Sequence, residues 1–315
     1  MMDMEARAIG CLLGQLAGDA LGSLVEFRSP EEIRGRYPLG VREMHDGGTW
    51  DTIAGQPTDD SEMALGLARS IIAGKGFQQA AARKAYGDWL ASQPFDVGMT
   101  VLGGIQGKPN GESQANGALM RIAPLGIFGA RHSITLVGTW AEEDAVITHP
   151  NPICRQINNL FARAVAHAVA VGPSPSDLYD LVARWAEELN VDPIVHRAIL
   201  DAKTVPAWDF MHQQGWVIIA FQNALFQILH AASLEDGVAD TVSRGGDTDT
   251  NAAIAGALLG AVHGESAIPG QWRQTLLNCR PQAGLPRVKR PRPQVYWPID
   301  AVELARGLLN IPAER

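Results

Sequence analysis

The stretch Arg244-Gly245-Gly246-Asp247-Thr248-Asp249-Thr250-Asn251-Ala252-Ala253-Ile254-Ala255-Gly256-Ala257-Leu258-Leu259-Gly260 decides how the rest of the chain reads. A double glycine supplies a sharp turn, acidic and hydroxyl residues stand at a helix start, and the alanine-rich run predicts a helix over about 251–263. Ala252, Ala253, Gly256, Ala257 and Gly260 give it a small face that a second helix axis can approach closely. Working outward, apolar residues recur at helical spacing in Ile9, Leu12, Leu13, Leu16 and Ala20, and again in Ile157, Leu160, Phe161, Ala164, Val165 and Ala168. Further helices are predicted over about 61–73, 78–92, 134–146, 176–189, 193–201, 215–232, 235–243 and 300–309, and Asn151-Pro152 supplies an N-cap with a first-turn proline. Strand-like alternation is nearly absent, so the expected fold class is all-α.

Two stretches break the pattern. Residues 28–57, with Pro30, Pro38, Gly47, Gly48 and Pro57, read as a long excursion, and loops of that length in compact domains are usually functional or disordered. The second runs from Gly98 to Gly117 and holds six glycines. No repeat, low-complexity tract or linker divides the chain, so one domain is expected over 1–315. Within it, 280–298 is rich in proline and basic residues and reads as a surface-wrapping segment before a last helix.

Composition removes several function classes. With 46% hydrophobic and 19% charged residues the chain is neither disordered nor fibrous. A net charge of −8 argues against general nucleic-acid binding, which needs surplus Lys and Arg. Cys11, Cys154 and Cys279 form no CxxC pair, which fits a reducing, cytoplasmic setting without disulfides or a zinc knuckle. The start of the chain lacks the basic region of a signal peptide. The apolar window Val217 to Leu229 is too short for a bilayer, so it reads as a buried helix and no membrane partner is expected.

Two acidic clusters carry the chemistry. Thr58-Asp59-Asp60 opens one helix, and Asp247-Thr248-Asp249-Thr250 opens another. Taken singly, each serves equally well as a helix cap, because acidic residues suit the positive end of a helix dipole. An EF-hand is excluded, since the sixth and twelfth loop positions would be Ala252 and Leu258. Together, the carboxylates of Asp59, Asp60, Asp247 and Asp249 match the charge of two divalent cations, with Thr58 and Thr250 as further oxygen donors. Hard oxygen donors favour Mg²⁺ or Mn²⁺ over Zn²⁺. If the clusters meet in space they form a two-metal clamp, with ions roughly 3.5–4 Å apart.

In chain order, Gly18-Asp19-Ala20-Leu21-Gly22 with Glu26, Thr58-Asp59-Asp60, Phe95-Asp96-Val97-Gly98, Asn116-Gly117-Ala118-Leu119-Met120-Arg121, Thr148-His149-Pro150 and Gly245-Gly246-Asp247-Thr248-Asp249-Thr250 resemble the ADP-ribosylglycohydrolases, of the dinitrogenase reductase-activating kind. The resemblance spans about residues 8–262 and implies an orthogonally packed helical bundle with a dinuclear Mg²⁺ or Mn²⁺ centre in a cleft. It implies Thr58, Asp59, Asp60, Asp247, Asp249 and Thr250 as metal ligands, with Asp249 touching both ions, and metal contacts to the hydroxyls of a distal ribose. It further implies Glu26 as a glutamate reaching the metals on a mobile loop, and Asp96 as a proton-transfer acid; Glu26, Asp60 and Asp96 are the candidate catalytic carboxylates. Asn116, Gly117, Met120 and His149 match the ADP-ribose pocket, and the glycines of the second break, Gly103 and Gly104 among them, read as a phosphate cradle. Asp19 reads as structural.

No G-x-S-x-G elbow, HExxH motif or cysteine–histidine pair competes. The expected reaction is hydrolysis of the N-glycosidic bond between ADP-ribose and a protein side chain, arginine first and serine as the alternative. An oxocarbenium-like transition state would be stabilised by nearby carboxylates. A metal-dependent phosphoesterase and a non-catalytic ADP-ribose-binding relative are the rival readings.

Overall fold

The computed structural model describes residues 3–313. In chain order its helices are α1 (Met4–Gly22), α2 (Pro30–Arg36), α3 (Asp59–Gly74), α4 (Gln79–Ala91), α5 (Met99–Ile105), α6 (Ala123–Gly129), α7 (Ile134–Ala145), α8 (Pro152–Val171), α9 (Pro175–Glu188), α10 (Pro193–Ala202), α11 (Val217–His230), α12 (Leu234–Ser243), α13 (Thr248–His263), α14 (Gly270–Asn278) and α15 (Ala301–Leu309). No strand occurs among the described residues; isolated bridges join Gly47 to Thr52 and Ala115 to Trp216. The fold is all-α, as the periodicity predicts. The Asn151 cap is also present, its side chain accepting from the Ile153 amide.

Four short helices escape the periodic signal, each for a physical reason. In α2 the Ser29–Glu32 capping box and Pro30 start the helix, but Ile33 is its one buried residue, so no apolar stripe forms. In α5 only Val101 and Gly104 are buried, and in α14 only Trp272 and Leu276. Every residue of α6 is buried, so no polar face marks its period. The expectation of unbroken loops over 28–57 and Gly98–Gly117 is corrected accordingly.

The centre of the molecule is an antiparallel crossing of α1 and α13. Gly10, Gly14 and Gly18, one turn apart on α1, lie against Gly260, Gly256 and Ala252. A Cβ at Gly14 would come within 2.9 Å of the Gly256 carbonyl carbon and closer still to its oxygen, and a Cβ at Gly256 would meet Gly14 in the same way. Backbone therefore packs on backbone. The same ladder ends at Gly22, whose missing side chain leaves space for the backbone of Asp249. One connected apolar core, running from Ala8 to Ile311, surrounds this pair, and a small satellite of Ala207, Phe210 and Ile219 lies under the 203–216 loop.

The segment 280–298 wraps the surface as expected, with one correction. Arg292 is buried and ion-paired to Glu62 of α3 at 2.8 Å, while Trp89 Nε1 donates to the same carboxylate at 2.9 Å. Arg287 and Lys289 reach Asp46 and Asp51 at 3.2 and 3.8 Å, and Arg290 Nε donates to the Trp50 carbonyl at 3.0 Å. Its basic residues thus strap down the loop before α3. The window Val217–Leu229 lies in the buried face of α11, and no helix among the described residues is long and apolar enough to cross a membrane.

Candidate active site

The two acidic helix starts meet because α1 holds both. Asp19, on the last turn of α1, accepts from the Thr58 and Ser61 amides at 3.1 Å, and Thr58 Oγ1 lies 2.9 Å from its Oδ1. It caps α3 from another helix, so Thr58 makes no cap bond to its own amides. At α13 the Asp247 side chain likewise makes no cap bond; Asn116 Nδ2 donates to its Oδ2 at 2.7 Å. Thr248 Oγ1 ties the start of α13 to the Gly22 carbonyl at 2.7 Å. The capping reading of both clusters is therefore corrected: their carboxylates face each other.

Two groups of carboxylates result. Oxygens of Asp19, Asp60 and Asp249 lie within 4.8 Å of one another, as do oxygens of Glu26, Asp247 and Asp249. Asp249 belongs to both. Asp60 Oδ1 is buried without a partner, and Thr58 Oγ1 lies 2.9 Å from Asp60 Oδ2. The second group and the shared Asp249 line a cleft of about 360 Å³ whose wall also includes Asp59, Asp96, Asn116, Gly117, Met120, His149 and Thr250, while Asp19 and Asp60 of the first group are not part of that wall.

Glu26 follows α1 in a turn fixed from two sides. The Phe27 amide donates to the Gly246 carbonyl at 2.8 Å, and the Gly246 amide returns a bond to Arg28 at 3.1 Å. Trp50 Nε1 donates to Glu26 Oε2 at 2.6 Å, and Thr49 Oγ1 to the Glu26 carbonyl at 2.9 Å. The excursion before α3 is thus a clamp on the glutamate. Trp50 also packs on Phe95, ring centroids 5.9 Å apart, which sets the residue before Asp96.

None of the described residues lining the cleft is Lys or Arg, so the carboxylates crowd without a protein cation. Desolvation, together with Asp96 and Asp247, pushes Glu26 up to about 8. Burial and the charge of Asp59 push Asp96 up to about 9, and burial with Asp19 and Glu26 pushes Asp59 up to about 7. Burial and neighbouring carboxylates raise Asp60 and Asp249 well above the usual range. Clustered, desolvated, all-oxygen donors with unpartnered atoms fit divalent cations of the hard kind.

A pH dependence follows. Without metal, the folded protein binds protons at these groups that the unfolded chain, with ordinary carboxylates, releases near pH 4. Stability of the metal-free protein therefore falls as pH rises from about 4, and the fall ends only as pH passes the values of about 7, 8 and 9 at Asp59, Glu26 and Asp96. A divalent cation displaces those protons, so its stabilisation is larger at pH 8.5 than at pH 6. Thermal unfolding in EDTA and in Mg²⁺ at the two pH values measures both trends; a metal-free curve that rises with pH contradicts the clustering.

The remaining predicted residues divide. Asn116 orients Asp247, and its amide pairs with the Gly215 carbonyl at 3.0 Å. The Met120 carbonyl accepts from Gln15 of α1 at 2.8 Å. Gly117 lies under the His149 ring, where a Cβ would come to 3.2 Å from Nε2. Gly103 and Gly104 are corrected: both lie within α5 and outside the cleft wall, and a Cβ at Gly104 would come to 2.8 Å from Thr148 Cβ. Gly104 serves the packing of α5 on the Thr148–His149 turn. Sequence reading also missed the second role of Asp19, which caps α3 and stands in the first carboxylate group. It missed Trp50 and the Gln214–Gly215 wall as well. The glycines at 10, 14, 18 and 22 were the available signal that α1 has a backbone-contact face ending at this site.

The family model described as ADP-ribosylglycohydrolase matches residues 1–294. The chain is 32% identical over 280 residues to the ADP-ribosyl-(dinitrogen reductase) glycohydrolase of Rhodospirillum rubrum, covering 86% of this chain and 90% of that protein. It is 28% identical over 285 residues to the ADP-ribosylarginine hydrolase Tri1 of Pseudomonas putida (strain GB-1), covering 84% and 73%. It is 26% identical over 326 residues to the ADP-ribosylhydrolase ARH3 of Homo sapiens, covering 86% and 89%. A solved structure described as an ADP-ribosylglycohydrolase-related protein complex superposes with a TM-score of 0.79 at 26% identity, over 99% of both chains.

Proposed function

Because the chain belongs to the ADP-ribosylglycohydrolase family, we propose that this glycohydrolase cleaves the N-glycosidic bond joining ADP-ribose to a protein arginine. The observation that carries the reading is the pair of carboxylate groups sharing Asp249 at the wall of the cleft. The arginine acceptor rests on the names of relatives that act on ADP-ribosylarginine or dinitrogen reductase. Two Mg²⁺ or Mn²⁺ ions, held by Asp60 and Asp249 with Thr58, Asp59 and Asp19 at hand, and by Asp247, Asp249 and Glu26 with Thr250, would offset most of this charge and supply Lewis acidity toward ribose hydroxyls.

The chain's own groups do the rest. Asp96, raised to about 9, keeps its proton at neutral pH and gives it to the departing guanidine nitrogen. Glu26, held at Oε2 by Trp50, stands in the second carboxylate group, where it gives up, when a cation is bound, the proton that burial otherwise keeps on it. In that ionised form it accepts the proton of the attacking water. Carboxylates beside the anomeric carbon stabilise the positive charge that the ribose develops. Asn116 fixes Asp247, and the glycine at 117 leaves space for substrate against His149. One domain carries all of this, a reading supported by the family match over residues 1–294 and the core that runs from Ala8 to Ile311. The three free cysteines, all buried, favour a cytoplasmic setting.

The test is to incubate the protein with arginine-linked and serine-linked ADP-ribosyl peptides, with and without chelator. Intact ADP-ribose from the arginine peptide, abolished by chelation, is expected. Release of phosphate or nucleotide would indicate a phosphoesterase, and tight ADP-ribose binding without turnover a non-catalytic relative. Asp96 stands in neither carboxylate group, so Asp96→Asn should lower kcat by about 10²–10⁴-fold while cation affinity, measured by calorimetry, stays at the wild-type value. A parallel loss of cation binding would remove Asp96 from the acid role.

A further inference from the structure

Tyr86, Asp144, Arg121, Thr148 and His149 form an unbroken line of hydrogen bonds from the core to the cleft. Arg121 and Asp144 are both fully buried. Arg121 Nε donates to Asp144 Oδ2 at 3.0 Å, its Nη2 to the Asp144 carbonyl at 3.1 Å, and the Tyr86 hydroxyl to Asp144 Oδ1 at 2.6 Å. The remaining nitrogen, Nη1, donates to Thr148 Oγ1 at 2.9 Å and to the Gly117 carbonyl at 3.3 Å.

A guanidinium has only donors, so Thr148 Oγ1 accepts in this pair; its one other partner among the described residues is His149 Nδ1, at 2.7 Å, and the buried hydroxyl proton is satisfied only if Thr148 donates to it. Nδ1 therefore accepts. A neutral imidazole that accepts at Nδ1 carries its proton at Nε2. Burial and the Arg121 charge push His149 down to about 3, so the ring is neutral at physiological pH. Nε2 has no protein partner although the side chain is fully buried, and the ring forms part of the cleft wall beside Gly117.

His149 is already placed in the ADP-ribose pocket by the family resemblance; we infer that Arg121 and Thr148 are positioning residues that lock it as the Nε2–H tautomer, so that what the ring presents to the ADP-ribosyl group is a hydrogen-bond donor. The ligand half of the inference rests on the glycohydrolase reading; the tautomer half does not. A site that offers a fixed donor discriminates by requiring an acceptor, because a ligand without one leaves a buried N–H unpaired.

The experiment is long-range ¹H–¹⁵N NMR of His149 in the full-length protein, free and with ADP-ribose. Wild type is expected to show an unprotonated Nδ1 and a protonated Nε2, with the Nε2 signal shifting when ADP-ribose binds. Thr148→Val keeps the side-chain volume and removes the hydroxyl, so the tautomers should mix and the Kd for ADP-ribose should rise about tenfold; Thr148→Ser should restore both. Should Thr148→Val not fold, the wild-type tautomer still decides the relay. A proton on Nδ1 in wild type, or a valine variant with unchanged tautomer, overturns the relay. A wild-type Nε2–H whose signal ignores bound ADP-ribose overturns the ligand assignment alone, and failure of ADP-ribose to bind overturns that assignment together with the glycohydrolase reading.

Discussion

An Asp249→Asn variant should fold and lose turnover by about 10³-fold, the upper end of the scale on which removal of one preorganised electrostatic group acts. Asp249 is the one residue common to both carboxylate groups, so its loss removes a ligand from each. Stability should move the other way. The Asp249 carboxyl is raised by burial and by Glu26, Asp60, Asp247 and Asp96, so a neutral amide relieves repulsion in the metal-free protein. Its Tm in EDTA should equal or exceed that of wild type. The rise in Tm on adding cation should vanish, whereas in wild type ligand at a hundredfold over Kd adds about 2.7 kcal/mol. Turnover within tenfold of wild type, or an undiminished cation-dependent rise, would sink the shared-ligand assignment.

Gly14→Ala should cost at least about 3 kcal/mol, at the upper end of what overpacking a core usually costs. The added carbon would overlap the Gly256 carbonyl, a backbone group that cannot rotate away. Relief requires the axes of α1 and α13 to separate, which draws Asp249 away from Asp19 and Asp60. Weakened cation binding is therefore expected alongside the lost stability, from a substitution of one methyl group outside the cleft. Gly66→Ala on α3 is the control: a Cβ there meets nothing within 4 Å, so the better helix former should add up to about 1 kcal/mol. Urea unfolding of the two variants separates the effects. A Gly14→Ala protein as stable as wild type would remove the crossing as the frame of the site.

Much of this was legible in the chain. The period of apolar residues located eleven of the fifteen described helices and the buried nature of α11, and the two acidic starts were visible as clusters of hard donors. Short helices were lost because one or two buried residues make no period, as with Ile33 in α2, and because a wholly buried helix such as α6 has no polar face to mark it. Gly103 and Gly104 were misread because a glycine needed for helix packing and one needed for anion contact look alike in sequence. Asp19 was half read: its capping of α3 is a bond between residues 39 apart, and nothing local announces it.

The sequence by itself determined the helical class, the acidic helix starts and the kind of ion they suit, since these depend on residue type and on spacing within a few turns. Tertiary structure alone decided that the starts converge on Asp249, that Trp50 clamps Glu26, and that a buried arginine reaches His149 through one threonine hydroxyl. Those relations join residues brought together by the contact of α1 with α13 and the loops packed around it. The distances and directions of such contacts are fixed by packing in three dimensions, which the order of residues along a chain does not express.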